Sequence, residues 1–314
     1  MELMRKTVGL LRSRLRIPKD YQVLFTSSAT ECWEIIAQSL TTLQSIHIFN
    51  GAFGEKWFDY ARRLHPLCRA IRFDVNTLPD PSELVFPEGE VIAITQNETS
   101  NGTQVSSRII AAIRHNNPSQ LIAVDATSSM AGVFLDFHAA DVWFASVQKC
   151  FGLPAGLGVM IVSPRAMDRV RLVNENLHYN SLALMMKMAE KSQTSYTPNV
   201  LGIYLLMRCL QKRKAIGVVE KKIKSQARDW HKMIRGSKKL FMLSAGRNTL
   251  SDTVIAIRST PELVAKIKTE ARRKGFLLGE GYGSLKQETF RIANFPAIKA
   301  AEVRKLMTFI RRYC

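Results

Sequence analysis

Short apolar runs rich in β-branched residues recur through the first half of the sequence, and they constrain the fold more than any other feature. Helix-like stretches such as Glu31 to Leu43 and Ser107 to Arg114 lie between several of these runs. Strands that alternate with helices predict an α/β fold with a mainly parallel sheet covered by helices on both faces. The seven predicted strands are Val23 to Phe25, Ile46 to Phe49, Ala70 to Phe73, Val91 to Thr95, Leu121 to Val124, Val142 to Val147 and Gly158 to Val162.

The pattern changes near residue 196, where long basic amphipathic helices begin and continue to about Arg235. A smaller α/β unit follows, built from a strand near Thr253 to Ile257, a helix over Pro261 to Lys274, a glycine-rich turn, a strand at Thr289 to Ala293 and a final helix. We therefore predict a large domain over residues 1–215 and a small C-terminal domain over residues 216–314.

The net charge of +19 is unevenly distributed, since residues 1–160 hold 14 basic and 15 acidic residues while residues 161–314 hold 31 and 11. The basic clusters fall at helical spacing around apolar residues, which favours solvated helix faces. Nucleic-acid binding is the alternative interpretation, but no zinc-finger, KH or RRM signature accompanies the charge, so we expect no nucleic-acid partner. A catalytically silent basic binding protein stays open as an alternative function.

The sequence offers no run of about 18 apolar residues that could span a membrane, and the first twenty residues mix Arg and Lys with Leu. We expect a cytoplasmic protein with no membrane partner. The five cysteines are widely spaced and lack the pattern of a zinc site, so we interpret them as free thiols and expect no metal.

The first candidate for chemistry is the segment Phe25 to Glu31, where a predicted strand runs into a predicted helix. Backbone N–H groups at a helix start, together with the hydroxyls of Ser28 and Thr30, suit a phosphate dianion. Ser28 followed by Glu31 is also a capping box, which needs no ligand. Both interpretations stay open on the sequence alone.

Two further candidates are an acid and an amine at the ends of apolar strands. Asp125 ends the run Leu121 to Ala126, where a carboxylate can pair with a protonated ring nitrogen. Lys149 follows the run that begins at Val142 and precedes a turn containing Gly152, where burial would lower its pKa and make it nucleophilic. Each signal has a structural alternative, so the prediction depends on their combination.

Six motifs in order along nearly the whole chain resemble the class V, fold-type I pyridoxal-phosphate enzymes, most closely the phosphoserine aminotransferase branch. They are the turn at Ser27 to Thr30, the segment Asn97 to Gly102, Asp125, the pair Gln148-Lys149, the segment Tyr196 to Pro198 and the segment Phe290 to Ile292. The resemblance implies pyridoxal phosphate as the cofactor, with Lys149 attached to it as a Schiff base and Asp125 on its pyridine nitrogen.

The same resemblance implies the remaining site residues. Thr99 should hydrogen-bond the phenolic oxygen, and Phe53 should stack on the ring where the family usually has Trp or His. Arg291 should bind the substrate α-carboxylate, because a guanidinium can donate two parallel hydrogen bonds to a carboxylate. The cofactor phosphate should be held by Ser28, Ala29, Thr30 and Gln148, with Tyr196 and Thr197 supplied by the second subunit of a homodimer with shared active sites.

The implied reaction is transamination between an amino acid and a 2-oxo acid, with the freed Lys149 moving the α-proton. The phosphoserine branch carries a His-Arg pair ahead of its first helix for the substrate phosphate, and this sequence begins within that helix. We therefore expect an amino-acid substrate without fixing it as phosphoserine.

The rival reaction within the class is desulfuration or another lyase reaction, which needs a cysteine nucleophile near the substrate. The loop over residues 279–287 contains no cysteine, and Cys150 should face away from its neighbour Lys149. The absence of a suitable thiol favours transamination.

Overall fold

The computed structural model describes all 314 residues, and its largest element is a seven-stranded sheet in the order β1-β9-β8-β7-β4-β2-β3. The strands of the chain are β1 (Gln22–Thr26), β2 (Ser45–Phe49), β3 (Arg69–Arg72), β4 (Val91–Thr95), β5 (Asn97–Glu98), β6 (Thr103–Gln104), β7 (Leu121–Asp125), β8 (Val142–Ser146), β9 (Gly158–Val162), β10 (Phe241–Met242), β11 (Val254–Arg258), β12 (Gly279–Glu280) and β13 (Thr289–Ala293).

The large sheet is mainly parallel, as predicted. Strands β3, β2, β4, β7 and β8 pair in parallel, while β9 runs antiparallel to both β8 and β1. Because β9 reverses direction between them, β1 and β8 point the same way. The carboxyl ends of β1, β4, β7 and β8 therefore meet at one edge of the sheet, where ligands of open α/β sheets usually bind.

Ten α-helices surround the strands, and six of them begin after a Ser, Thr or Asn whose side chain accepts a first-turn N–H. The helices are α1 (Glu2–Leu15), α2 (Ala29–Leu40), α3 (Ala52–Leu64), α4 (Ser107–Asn116), α5 (Pro164–Val173), α6 (Leu182–Glu190), α7 (Val200–Lys212), α8 (Ile216–Arg235), α9 (Pro261–Arg273) and α10 (Ala300–Ile310).

Helix α2 differs from its prediction at both ends. It starts two residues before the predicted Glu31, because Ser28 caps it, and it stops at Leu40 instead of Leu43. The carboxylate of Glu90 accepts the backbone N–H groups of Thr42 and Leu43 at 2.8 Å, which holds this segment outside the helix. A contact so distant in sequence leaves no local signal.

Helices cover both faces of the large sheet. In β4, Ile92 and Ile94 belong to one core of 39 buried residues, whereas Val91 and Ala93 belong to a second core of 21 on the opposite face. Alternate residues of a strand point to opposite faces, so a strand buried on both sides is apolar at almost every position. This explains why the runs were visible in the sequence.

The second sheet, in the order β10-β11-β13-β12, is antiparallel throughout and shares a third core with α9, α10 and the second half of α8. Helix α8 contributes to two cores, since Ile223 packs with the large sheet and Trp230 with the small one. The domain boundary after residue 215 stays a prediction.

The basic residues of α8 lie where the spacing predicted, on solvated helix faces. Lys221, Lys224, Arg228 and Lys232 are all exposed, and Lys224 pairs with Glu220 at 2.8 Å. No helix of the chain combines the length and the apolar character needed to cross a membrane.

Candidate active site

The edge of the large sheet where β1, β4, β7 and β8 end contains a cavity of about 260 Å³. Polar residues that line the cavity stand at the end of each of these strands or within four residues after it. The site forms at this edge because the four strand ends meet there. The lining residues are Ala29, Thr30, Trp33, Phe53, Lys56, Tyr60, Thr95, Asn97, Thr99, Asp125, Thr127, Ser128, Ser146, Gln148 and Lys149.

Asp125, the last residue of β7, lies at the base of this cavity and is only 5% exposed. One carboxylate oxygen accepts the indole N–H of Trp33 at 3.1 Å, and the other accepts the backbone N–H of Thr127 at 2.9 Å. Burial raises the pKa of Asp125. Each oxygen keeps a free lone pair, so the carboxylate can still accept a hydrogen bond from a cationic ring nitrogen.

Lys149 is half-buried in the same cavity, three residues after the end of β8. Burial lowers the pKa of its ammonium group, the nearby cation Arg291 lowers it further, and Asp125 acts in the opposite direction. A lowered pKa increases the fraction of neutral amine near pH 7, which is the form that attacks an aldehyde.

The lowered pKa of Lys149 predicts how fast cofactor-free protein captures pyridoxal phosphate at each pH. Only the neutral amine reacts, so the capture rate should rise with pH and level off below about 10.4, the ordinary lysine pKa. Stopped-flow absorbance of the forming adduct measures this rate. A rate that keeps rising up to the ordinary lysine pKa would show that Lys149 is not desolvated.

The start of α2 satisfies the capping interpretation of the segment Phe25 to Glu31. The hydroxyl of Ser28 accepts the N–H of Glu31 at 3.1 Å, and the carboxylate of Glu31 accepts the N–H of Ser27 at 2.7 Å. Ala29 and Thr30 nevertheless line the cavity, at the positive end of the helix dipole. Capping and anion binding are therefore compatible at this helix start.

Seven of the site residues predicted from the sequence lie together around the cavity: Ala29, Thr30, Phe53, Thr99, Asp125, Gln148 and Lys149. Arg291 lies beside it, where its guanidinium donates to the backbone oxygens of Thr99 at 2.8 Å and Glu280 at 2.7 Å. Ser28, Tyr196 and Thr197 do not line it, and the latter two border a different cavity.

The sequence alone did not indicate several residues that line the cavity, among them Trp33, Lys56 and Tyr60. Two of the lining residues have buried polar atoms without a partner, the amide nitrogen of Asn97 and the hydroxyl of Thr127. Buried polar atoms are costly unless they are hydrogen-bonded, so these two fit a polar ligand in the cavity. An amine, a carboxylate, a helix start and unpaired polar atoms match the groups of pyridoxal phosphate.

No cysteine lines the cavity. Cys150 is fully buried, its thiol donates to the backbone oxygen of Ser128 at 3.1 Å, and burial raises its pKa to about 12. A buried thiol that stays protonated is a poor nucleophile, so Cys150 does not provide the cysteine that a desulfurase needs.

The family model described as Aminotransferase class-V matches residues 1–259. Phosphoserine aminotransferase of Corynebacterium glutamicum (strain R) is 28% identical over an alignment of 320 positions that covers 96% of this chain and 83% of the relative.

Among solved structures, a phosphoserine aminotransferase SerC from Cytophaga hutchinsonii superposes with a TM-score of 0.93 at 31% identity, covering 99% of this chain and 88% of that chain. An aspartate aminotransferase from Thermus thermophilus shares the fold, with a TM-score of 0.89 at 21% identity over 99% of this chain and 89% of that chain.

The predicted fold, cofactor and reaction class are thus confirmed. The chain belongs to the class-V aminotransferase family, and it is a pyridoxal-phosphate-dependent aminotransferase of the phosphoserine aminotransferase-like kind.

Proposed function

We propose that this enzyme transfers an amino group between an amino acid and a 2-oxo acid in the cavity that holds Lys149 and Asp125. The observation that carries the proposal is that one cavity contains both a desolvated amine and a buried carboxylate. The pair matches the two ends of one cofactor ring, the aldehyde carbon and the pyridine nitrogen.

Each residue has a defined task in this proposal. Bound pyridoxal phosphate supplies an electron sink for the substrate α-carbon. Lys149 binds the cofactor and later moves the α-proton, and Asp125 keeps the ring nitrogen protonated. Arg291 orients the substrate carboxylate. Phe53 stacks on the ring, Thr99 binds its phenolic oxygen, and Ser28, Ala29, Thr30 and Gln148 hold the phosphate.

A homodimer is part of the proposal, because Tyr196 and Thr197 are assigned to the active site of the second subunit. Residues next to them support such an interface, since Val200, Leu201 and Tyr204 leave 56%, 67% and 45% of their surface exposed. Exposed apolar residues grouped on one helix are typical of a surface that another chain covers.

The substrate side chain is proposed to carry a negative charge, as phosphoserine and acidic amino acids do. Lys56, one helical turn after Phe53, lines the cavity with its ammonium 5.5 Å from the centre of the Tyr282 ring. The proximity of Tyr282 raises the pKa of Lys56, so the ammonium stays charged.

We expect Lys56→Met to lower kcat/KM for acidic donors by about tenfold, the size of one exposed charge-assisted contact, and to leave alanine nearly unchanged. Steady-state kinetics with both donors measure the difference, and Lys56→Arg should retain most of the preference. An equal loss of kcat/KM for acidic and neutral donors would mean that Lys56 does not recognise the charge on the side chain of the donor.

The half-reaction tests the proposed function directly. The cofactor-loaded enzyme is mixed with single amino acids, including phosphoserine, glutamate and alanine, and absorbance follows the conversion of the aldehyde form of the cofactor to its amine form. Conversion by at least one acidic amino acid is expected. If no amino acid converts the cofactor and the protein instead shows salt-sensitive retention on nucleic acid, the basic binding protein replaces this proposal.

A further inference from the structure

The start of α3 has no capping side chain of its own, because its N-cap residue is Gly51. Three first-turn N–H groups therefore need acceptors from elsewhere. The hydroxyl of Ser100 accepts the N–H of Ala52 at 3.1 Å, and one carboxylate oxygen of Glu98 accepts those of Phe53 and Gly54, each at 3.1 Å. Glu98 and Ser100 together form what we call the carboxylate clamp.

The second carboxylate oxygen of Glu98 closes the clamp. It accepts the backbone N–H of Ser100 at 2.9 Å and the hydroxyl of Ser100 at 2.6 Å. Glu98 is only 1% exposed, and all four of its partners are donors, so the ionised carboxylate fits the site. Burial raises the pKa of Glu98, while its hydrogen bonds with Ser100 and Gly54 act in the opposite direction, as do the positive end of α3 and the nearby guanidinium of Arg291.

The clamp also requires Gly51. A Cβ atom at this position would lie 2.3 Å from the side-chain carbon Cγ of Glu98, which real Cβ contacts do not reach. Glycine thus allows the carboxylate to approach the helix start closely.

The clamp connects residues that surround the cofactor cavity. Glu98 lies between Asn97 and Thr99, which both line the cavity, and it holds the helix turn that carries Phe53 into the same cavity. The backbone oxygen of Thr99 also accepts the guanidinium of Arg291. One rigid turn therefore sets the position of the ring-stacking side chain relative to the other contacts.

We propose that Glu98 is a positioning residue, whose buried carboxylate fixes the first turn of α3 so that Phe53 stacks on the cofactor ring. The inference rests on the proposed function, because Phe53 is assigned to the cofactor there. Glu98 itself touches neither cofactor nor substrate, and its effect passes through the backbone of α3.

The test compares Glu98→Gln with a matched control, Glu90→Gln. Glu90 also accepts backbone N–H groups, those of Thr42 and Leu43, but it precedes β4 at the end of the strand away from the cavity. Glutamine cannot accept on both sides, because its NH₂ group would face N–H donors. We expect the amides of Phe53 and Gly54 to exchange about tenfold faster in cofactor-free Glu98→Gln than in wild type, as one charged hydrogen bond is lost.

Cofactor binding gives the second readout. The dissociation constant of pyridoxal phosphate should rise about tenfold in Glu98→Gln and stay near the wild-type value in Glu90→Gln. In the background Phe53→Leu, the added Glu98→Gln change should have an effect of less than about twofold, because both substitutions remove the same contact. If Glu98→Gln fails to fold, Ser100→Ala replaces it. This variant frees the N–H of Ala52, and amide exchange at the start of α3 and the dissociation constant of pyridoxal phosphate are measured in the same way.

The outcomes separate the two proposals. Faster amide exchange with an unchanged dissociation constant, or independent effects of Glu98→Gln and Phe53→Leu, would overturn the positioning role while the proposed function stands. A wild-type protein that binds no pyridoxal phosphate at all would overturn both.

Discussion

Lys149→Ala is expected to abolish transamination, with a loss of at least about 10³-fold in kcat under saturating cofactor, the range of a general acid–base residue. Alanine can neither attach the cofactor nor move the α-proton, and the other lysine of the cavity, Lys56, has its ammonium over the ring of Tyr282. Single-turnover absorbance with an acidic donor measures the loss.

The control for this substitution is Lys232→Ala, which removes an exposed lysine of α8 outside the cavity. It should keep wild-type activity and wild-type absorbance. A Lys149→Ala enzyme that retains more than about a tenth of the wild-type rate would exclude Lys149 as the base, given the expected contribution of such a group.

Asp125→Asn is expected to reduce kcat by roughly 10²–10³-fold, as the removal of one preorganised electrostatic contact does. An uncharged amide leaves the ring nitrogen unprotonated, and its NH₂ group also faces the indole N–H of Trp33 or the backbone N–H of Thr127. The cofactor should then bind more weakly as well. Half-reaction kinetics and equilibrium titration with pyridoxal phosphate measure both effects.

The matched control is Asp229→Asn, an exposed acid on α8. It should change neither the rate nor the cofactor affinity. If Asp125→Asn kept a wild-type rate at saturating cofactor, the carboxylate would be only structural, holding Trp33 and Thr127 in place.

The central strands β4, β7, β8 and β9 were predictable because they are buried on both faces and therefore apolar at almost every position. The ends of β7 and β8 then pointed to Asp125 and Lys149, since polar residues at or just after the end of such a run stand at the sheet edge. The two-residue strands β5 and β6 were missed, because a run so short has no periodicity.

Other parts of the site depend on contacts that sequence spacing does not encode. Trp33 looked like one more apolar residue on the buried face of α2, yet its indole N–H reaches Asp125, 92 residues further along the chain. Glu98 was visible only as part of a motif, and its contact with the start of α3 comes from tertiary packing. Tyr196 and Thr197 border a different cavity of this chain, and their assignment to the active site of a second subunit stays a prediction.

The central claim is that Lys149 forms the covalent link to the cofactor beside Asp125. Borohydride reduction of the cofactor-loaded protein, followed by proteolysis and mass spectrometry, tests it most directly. The account predicts one pyridoxyl-modified peptide with the modification on Lys149, and none after the same treatment of Lys149→Ala. A modification on another lysine, or an unmodified Lys149 in protein whose cofactor absorbance is lost on reduction, would contradict it.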